Sequence, residues 1–183
     1  MKAVLTILFF GIVNIVQAQV LNKNTEGLYV LEKVDSTRLS KREMHEKSKA
    51  WIVRKLKSSD SNILLNDSTQ ITSTGNLLLK NRGKATCTCQ NMRLNFKLTI
   101  LFKDNKYKVI FDNMTESFNL VCPDGSGQMS SSYKEFPLED IDKYFLSDKK
   151  VREIELEIQE KLIALETDLN NTLKNGAKLN QDW

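Results

Sequence analysis

Residues 92–111 constrain the fold more than any other part of the chain. Apolar side chains occupy the even positions of residues 92–102 and alternate with polar ones, and Leu101 alone breaks the alternation. A period of two predicts a half-buried β-strand. Asp104 and Asn105 follow, and both residue types tolerate the positive φ that a two-residue hairpin turn requires. The stretch therefore predicts a β-hairpin.

The turn sets the register of this hairpin. If Lys103 faces Lys106, three apolar pairs lie on one face: Phe102 with Tyr107, Ile100 with Val109, and Leu98 with Phe111. Turn chemistry and hydrophobic pattern agree, so we expect the core on that side of the sheet.

The opposite face of the hairpin carries basic side chains. They are Arg93, Lys97, Lys106 and Lys108. Such a face could bind an anionic partner, but a solvated sheet face kept soluble by lysine is the simpler interpretation.

The N-terminus has the pattern of a secretory signal peptide over residues 1–18. Lys2 precedes an apolar run of 14 residues, and Val16 and Ala18 occupy the −3 and −1 positions of a cleavage site. A membrane-spanning helix needs roughly 20 residues, so a retained anchor is the weaker alternative. The pattern predicts export to the periplasm or beyond, with no membrane span left after cleavage.

Cleavage would leave residues 19–183, a length typical of one domain. Since Lys2 leaves with the signal, the remaining charge is 26 − 23 = +3. This mild charge is not the basic footprint of a nucleic-acid-binding protein, so we expect no nucleic acid partner.

The chain contains three cysteines. An exported protein can form disulfides, and Cys122 could pair with either Cys87 or Cys89, leaving one thiol. All three could instead be small buried side chains. A metal site is disfavoured because a fourth ligand is missing and the one histidine, His45, has no partner at ligand spacing. We expect neither metal nor cofactor.

Further elements surround the hairpin within an α+β domain spanning residues 19–118. We predict strands at 27–34, 62–66, 69–80 with Gly75 as a bulge, and 84–90 after a turn at 81–83. Ser40 and Glu43 form a capping-box pattern that begins a helix reaching about Lys57. The cysteines at 87 and 89 are out of phase with the apolar positions of the next strand, so either a turn or bulge near Gln90 and Asn91 shifts the phase, or the cysteines lie on the polar side of the sheet.

The C-terminal third is predicted to be helical. Residues 119–135 have the composition of a linker or loop, and residues 136–175 predict two helices, the first starting at Pro137. The longer helix begins at Ser147 or Asp148 and carries an apolar stripe: Val151, Ile154, Ile158, Leu162, Leu165, Leu169 and Leu173.

The spacing of that stripe repeats every 11 residues rather than every seven, which argues against a left-handed coiled coil. We therefore expect the helix to pack on its own domain. The alternative is self-association through residues 151–169.

Three segments carry a resemblance to a known family. They are the helix from Ser40 through Trp51, the strand from Ile71 to Lys80 with Gly75, and the hairpin from Phe96 through Lys103-Asp-Asn-Lys-Tyr107 to Phe111. Over residues 26–118 the chain resembles a family of bacterial exported domains of unknown function that have a TATA-binding-protein-like fold. The resemblance implies an antiparallel sheet of four to five strands, a helix after the first strand, and an envelope location. It implies no reaction, because fold alone does not carry function.

No catalytic residues stand out in the sequence. A single histidine excludes the usual nucleophile–base pairs, and no glycine-rich phosphate loop follows a strand. Two carboxylates would suffice for a glycoside hydrolase, but the acidic residues at 153, 155, 157 and 160 are typical of a solvated helix face. Trp51 could stack on a ligand, although its spacing with Met44 and Ile52 favours a core position.

The sequence therefore favours a non-enzymatic binding or envelope-associated module. The alternatives are an assembly protein that uses its C-terminal helix, and a hydrolase that uses carboxylates.

Overall fold

The computed structural model describes residues 21–56, 62–84, 86–145 and 147–175. The predicted signal peptide lies outside these residues. The strands are β1 (Asn22–Lys23), β2 (Tyr29–Ser36), β3 (Ile63–Asn66), β4 (Gln70–Leu78), β5 (Arg82–Lys84), β6 (Cys87–Lys103), β7 (Lys106–Pro123) and β8 (Met129–Pro137). The helices are α1 (Lys41–Lys55), α2 (Ile141–Tyr144), preceded by a 3-10 turn at Leu138–Asp140, and α3 (Asp148–Asn175).

The strands form one antiparallel sheet in the order β1-β2-β7-β6-β4-β3, with β5 paired to β6 and β8 paired to β7. The α+β class with C-terminal helices is confirmed, but the expected four to five strands are too few. The reason is length. β6 and β7 have 17 and 18 residues, so each pairs with two strands in succession: β6 with β5 and β4, and β7 with β2 and β8.

The central hairpin has the predicted register. Phe102 lies opposite Tyr107 and Ile100 opposite Val109, and the turn residue Asn105 has a φ of 58°. Of the two alternatives for the start of β6, the structure has the bulge, since the pairing with β7 shifts between Gln90 and Arg93 and Asn91 has a φ of 54°. The extra residue brings Cys89 into the same core as the later even-numbered positions.

The expected linker at residues 119–135 is wrong. β7 continues to Pro123, and β8 begins at Met129 after a turn in which the Asp124 carboxylate accepts from the amides of Ser126 and Gln128. The serine-rich start of β8 resembles a loop in composition because this edge strand is exposed there and needs no apolar alternation.

Two predictions around β4 and β5 are also wrong. Gly75 is not a bulge, because it pairs in regular register with Phe96. Instead the Phe96 ring lies over it, and a Cβ there would come within 2.7 Å of that ring. The turn expected at 81–83 is occupied by β5, where Arg82 faces an acidic partner on α3.

Helix α1 begins with the predicted capping box. Ser40 Oγ accepts a hydrogen bond from the Glu43 amide, and the Glu43 carboxylate accepts one from the Ser40 amide. Its apolar face packs on the sheet and on α3. Trp51 is 1% exposed, and its Nε1 donates to Asp168 Oδ2 at 2.7 Å. Trp51 is thus a core residue that joins the two helices, and not a ligand platform.

Helix α3 packs along the same face of the sheet. The stripe residues from Ile154 to Leu173 are at most 6% exposed, and Val151 is partly buried. Self-association through this stripe is therefore wrong, because the chain's own domain covers it. Within the described residues, no helix is both long and apolar enough to cross a bilayer.

A disulfide joins Cys87, at the start of β6, to Cys122, near the end of β7. Cys89 is buried and lies outside the disulfide. The bond closes the end of the long hairpin that lies away from the Asp104–Asn105 turn.

Candidate functional site

The two faces of the sheet differ in what covers them. Helices α1 and α3 cover the face that carries the even-numbered residues of β6 from Met92 to Phe102 and, from β7, the buried residues Tyr107, Val109, Phe111, Met114, Glu116 and Phe118. The other face, which we call the open face, carries the odd-numbered residues of β6 from Arg93 to Lys103 and the residues paired beside them. None of the described helices packs on it.

The open face contains a trough made of two depressions. One is about 490 Å³ in volume and crosses from Asn62 and Leu64 at the sheet edge to Glu135 on β8. The other is about 390 Å³ and extends towards Tyr133. They meet at Asn95, which lines both, and six asparagines line the whole: Asn62, Asn76, Asn91, Asn95, Asn113 and Asn119. We call this surface the asparagine trough.

Asparagine is depleted in β-strands, so its presence there calls for a reason. Asn91 and Asn113 have one, because their φ values of 54° and 49° lie in the left-handed region that asparagine tolerates, and both sit at bulges. Asn76, Asn95 and Asn119 occupy regular strand positions, and Asn76 lies directly opposite Asn95. Backbone conformation does not explain these three.

Hydrogen bonds to described residues involve only one of the three side chains. Asn95 Nδ2 lies 3.4 Å from both Thr115 Oγ1 and Ser117 Oγ, which is long for a hydrogen bond. The side chains of Asn76 and Asn119 make no hydrogen bond to any described residue. No described residue therefore occupies the donors and acceptors of these two side chains.

At the β8 side of the trough, the Glu135 carboxylate accepts hydrogen bonds from two neighbouring hydroxyl groups. The Tyr133 hydroxyl donates to Glu135 Oε2 at 2.9 Å, and Thr115 Oγ1 donates to Glu135 Oε1 at 3.3 Å. Tyr133 remains 63% exposed. The result is an aromatic ring of restricted orientation at one end of the trough.

The basic residues predicted on this face are only partly free. Lys97 pairs with Asp112 at 3.1 Å and Lys108 with Glu32 at 2.7 Å. Arg93 and Lys106 have no acidic partner among the described residues. Arg93 and Lys97 line the trough, whereas the other two lie near the hairpin turn, so the structure does not bring the four cations together.

A second polar cluster lies beneath the sheet, between β7 and α3. Glu116 is 0% exposed, and neither of its carboxylate oxygens has a hydrogen-bond partner. Burial raises the pKa of Glu116 to about 7, against the opposing charge of Arg82 and with a smaller contribution from the nearby Glu157 carboxylate. Glu157 itself accepts from Arg82 Nη2 at 2.6 Å and from the Lys80 amide at 3.0 Å.

This cluster corrects the interpretation of the acidic residues on α3. Glu153 and Glu160 are exposed as expected. Glu157 is buried in the ion pair with Arg82, and Glu155 accepts from the Tyr29 hydroxyl. The sequence carries a signal for Glu116, because it occupies a core position between Met114 and Phe118 in an alternating strand.

The structure offers little support for a metal centre. Among the described residues, no group of three or more histidine, cysteine or acidic side chains is placed to hold an ion. His45 packs its ring edge-on against Phe102, with centroids 5.6 Å apart.

An antiparallel sheet with helices on one face and an open second face defines an α+β domain of the TATA-binding-protein-like class. Residues 31–117 match the family model described as a domain of unknown function (DUF4468) with TBP-like fold, which confirms the resemblance. That description names no activity.

Two solved structures are similar. A TBP-like protein from Parabacteroides distasonis superposes with a TM-score of 0.60 at 15% identity, covering 82% of this chain and 95% of that one. A DUF4468 family protein from Bacteroides ovatus has a TM-score of 0.48 at 17% identity, covering 85% and 87%. The first supports the fold alone. No curated protein matches the chain in sequence.

Proposed function

We propose that this protein is an exported, non-enzymatic binding module that holds its ligand on the open face of the sheet. One observation carries the proposal: Asn76, Asn95 and Asn119 stand at regular strand positions of the trough that backbone conformation does not account for, and among the described residues only Asn95 finds hydrogen-bond partners, both at 3.4 Å. Residues that are unfavourable for their secondary structure and that contribute nothing evident to the fold are typical of functional sites.

The distribution of carboxylates argues against catalysis. Glu135 is the single carboxylate among the residues lining the trough, whereas glycoside hydrolysis needs a pair. Glu116 has the raised pKa of a general acid, but it is fully buried and lines neither depression. A substrate held in the trough would not touch it.

Export is supported by the N-terminal pattern together with the disulfide. Disulfides persist in oxidising compartments such as the periplasm, and the Cys87–Cys122 bond suits that location or the envelope surface. Expression of the full chain followed by intact-mass analysis of the exported fraction tests this. A mature N-terminus at Gln19 with one disulfide is expected, and a chain retained in the cytoplasm with residues 1–18 intact would contradict it.

The binding site is tested by nuclear magnetic resonance on ¹⁵N-labelled protein purified from cells that express the full chain. Mixtures of small polar molecules (monosaccharides, nucleosides and dipeptides) are added at millimolar concentration. We expect amide shifts to concentrate around Asn76, Asn95 and Asn119, and the added molecules to remain unchanged after prolonged incubation. Shifts confined to the exposed side of α3, or turnover of a component, would refute the proposal.

A further inference from the structure

We infer that the asparagine trough binds a neutral oligosaccharide, in an extended form that crosses the strands. The inference rests on the proposed function, because it names the ligand class for the same surface. Four properties of the trough support it: its charge, its hydrogen-bonding groups, its place on the sheet and its exposed aromatic ring.

The charge of the trough is close to balanced. Glu135 offsets Arg93, and Lys97 is already paired with Asp112. A nucleic acid or another polyanion is held by many lysine and arginine contacts to its charged groups, and this surface offers one cation without an acidic partner in the described structure. A neutral ligand fits the charges better than a polyanion does.

The hydrogen-bonding groups of the trough both donate and accept. An asparagine side chain offers two N–H donors and a carbonyl acceptor, and each of the hydroxyls of Thr115, Ser117 and Tyr133 can do both. Sugar hydroxyls are likewise both donors and acceptors. Two neighbouring hydroxyls on a sugar ring can engage the carbonyl and the amide group of one asparagine together.

The position of the trough argues against a peptide. Extended peptides bind sheets chiefly by adding a strand at an exposed edge, where main-chain groups are unpaired. The central part of the trough lies over β6 and β7, whose main chains are already paired on both sides. A peptide there could use side-chain contacts only.

The exposed ring and the length of the trough fit several linked sugars. Tyr133 presents its ring at one end, and the apolar C–H face of a sugar can pack on an aromatic ring whose hydroxyl group keeps its own partner. From β4 to β8 the trough crosses four strands, a width of about 14 Å at ordinary strand spacing. Each depression alone has the volume of a small-molecule site.

The test is a titration of the labelled protein with three neutral hexasaccharides: cellohexaose, maltohexaose and hexa-N-acetylchitohexaose. Saturable shifts of the trough amides with at least one of them are expected. Asn95→Ala should weaken that binding at least tenfold, while Asn171→Ala, on the exposed side of α3, should leave it unchanged. Tyr133→Ala should weaken binding similarly, and Tyr133→Phe should retain most of it because the ring remains.

A neutral serine–glycine hexapeptide and a single-stranded DNA dodecamer serve as competing ligand classes. If either shifts the trough amides and none of the hexasaccharides does at millimolar concentration, the oligosaccharide inference is overturned while the proposed binding site stands. If no ligand of any class, including the small polar mixtures, shifts the trough amides, the inference and the proposed function fall together.

Discussion

The two faces of the sheet differ in whether their polar side chains have partners within the protein. On the covered face, polar groups meet partners on α3: Lys33 pairs with Glu166, Arg82 with Glu157, and Asp35 accepts from Asn170. On the open face, Asn76 of β4 and Asn119 of β7 make no side-chain hydrogen bond to a described residue. The covered face is therefore organised for stability, and the open face retains hydrogen-bonding capacity that folding does not use.

The largest expected loss of stability comes from removing the disulfide. A bond between residues 35 apart in sequence restricts the unfolded chain, and Cys122→Ser should lower the free energy of unfolding by up to about 4 kcal/mol. Chemical denaturation measures the loss. Reductant should destabilise the parent protein and leave the variant unaffected; equal sensitivity of both would contradict the assignment of Cys122 to the bond.

The next largest effect comes from a substitution on α3, and it tests whether the apolar stripe of this helix is buried against the covered face. Leu162 is 0% exposed, so Leu162→Ala leaves a cavity and should cost about 3 kcal/mol. Leu156→Ala is the matched control on the same helix, since Leu156 is 55% exposed, and a surface change should alter stability by no more than about 0.5 kcal/mol. Equal losses in the two variants would mean that the stripe is not buried in the core.

Glu116 departs from this arrangement on the covered face, because its carboxylate is buried and neither oxygen has a hydrogen-bond partner. Its folded pKa of about 7 lies above its ordinary value of 4.5, so the folded state holds the proton more tightly and stability falls as the pH rises between these values. Glu116→Gln should therefore gain about 2 kcal/mol relative to the parent protein between pH 4 and pH 8, within a limit of about 3 kcal/mol for this shift.

Thermal and chemical denaturation at both pH values measure this gain. Glu153→Gln, at an exposed position of α3, is the control and should show the same pH dependence as the parent protein. An unchanged pH dependence in Glu116→Gln would place the Glu116 carboxyl in solvent, and a loss of stability relative to the parent protein at pH 8 would place it in an ion pair.

The smallest expected effect on stability lies on the open face. Asn76→Thr replaces a poor strand former with a good one at an exposed site, and should be neutral or stabilising by about 0.5 kcal/mol. The same substitution should weaken ligand binding. A clear loss of stability would show that Asn76 serves the fold.

How far the sequence predicts this molecule depends on the range of the interactions involved. The hairpin at Asp104 and Asn105 and the cap at Ser40 follow from neighbouring residues, so both were predicted correctly. β8 was missed because its pairing with β7 depends on a distant strand, and its exposed serines carry no apolar pattern. Local composition cannot supply that information.

The candidate site was predicted only in part. Arg93 and Lys97 were assigned to the correct face from the alternation of β6. The asparagines were overlooked individually because each looks like an ordinary polar strand residue. Their common feature, a shared trough, depends on the registers of β4, β6 and β7 together. The burial of Glu116 likewise depends on where α3 lies.

The most direct test of the account combines stability and binding in one variant, Asn76→Thr/Asn95→Thr/Asn119→Thr. Its free energy of unfolding and its affinity for the bound hexasaccharide are measured side by side with those of the parent protein. We expect a protein at least as stable as the parent that has lost binding. A variant destabilised by several kcal/mol, or one that binds unchanged, would show that these asparagines do not mark a ligand site.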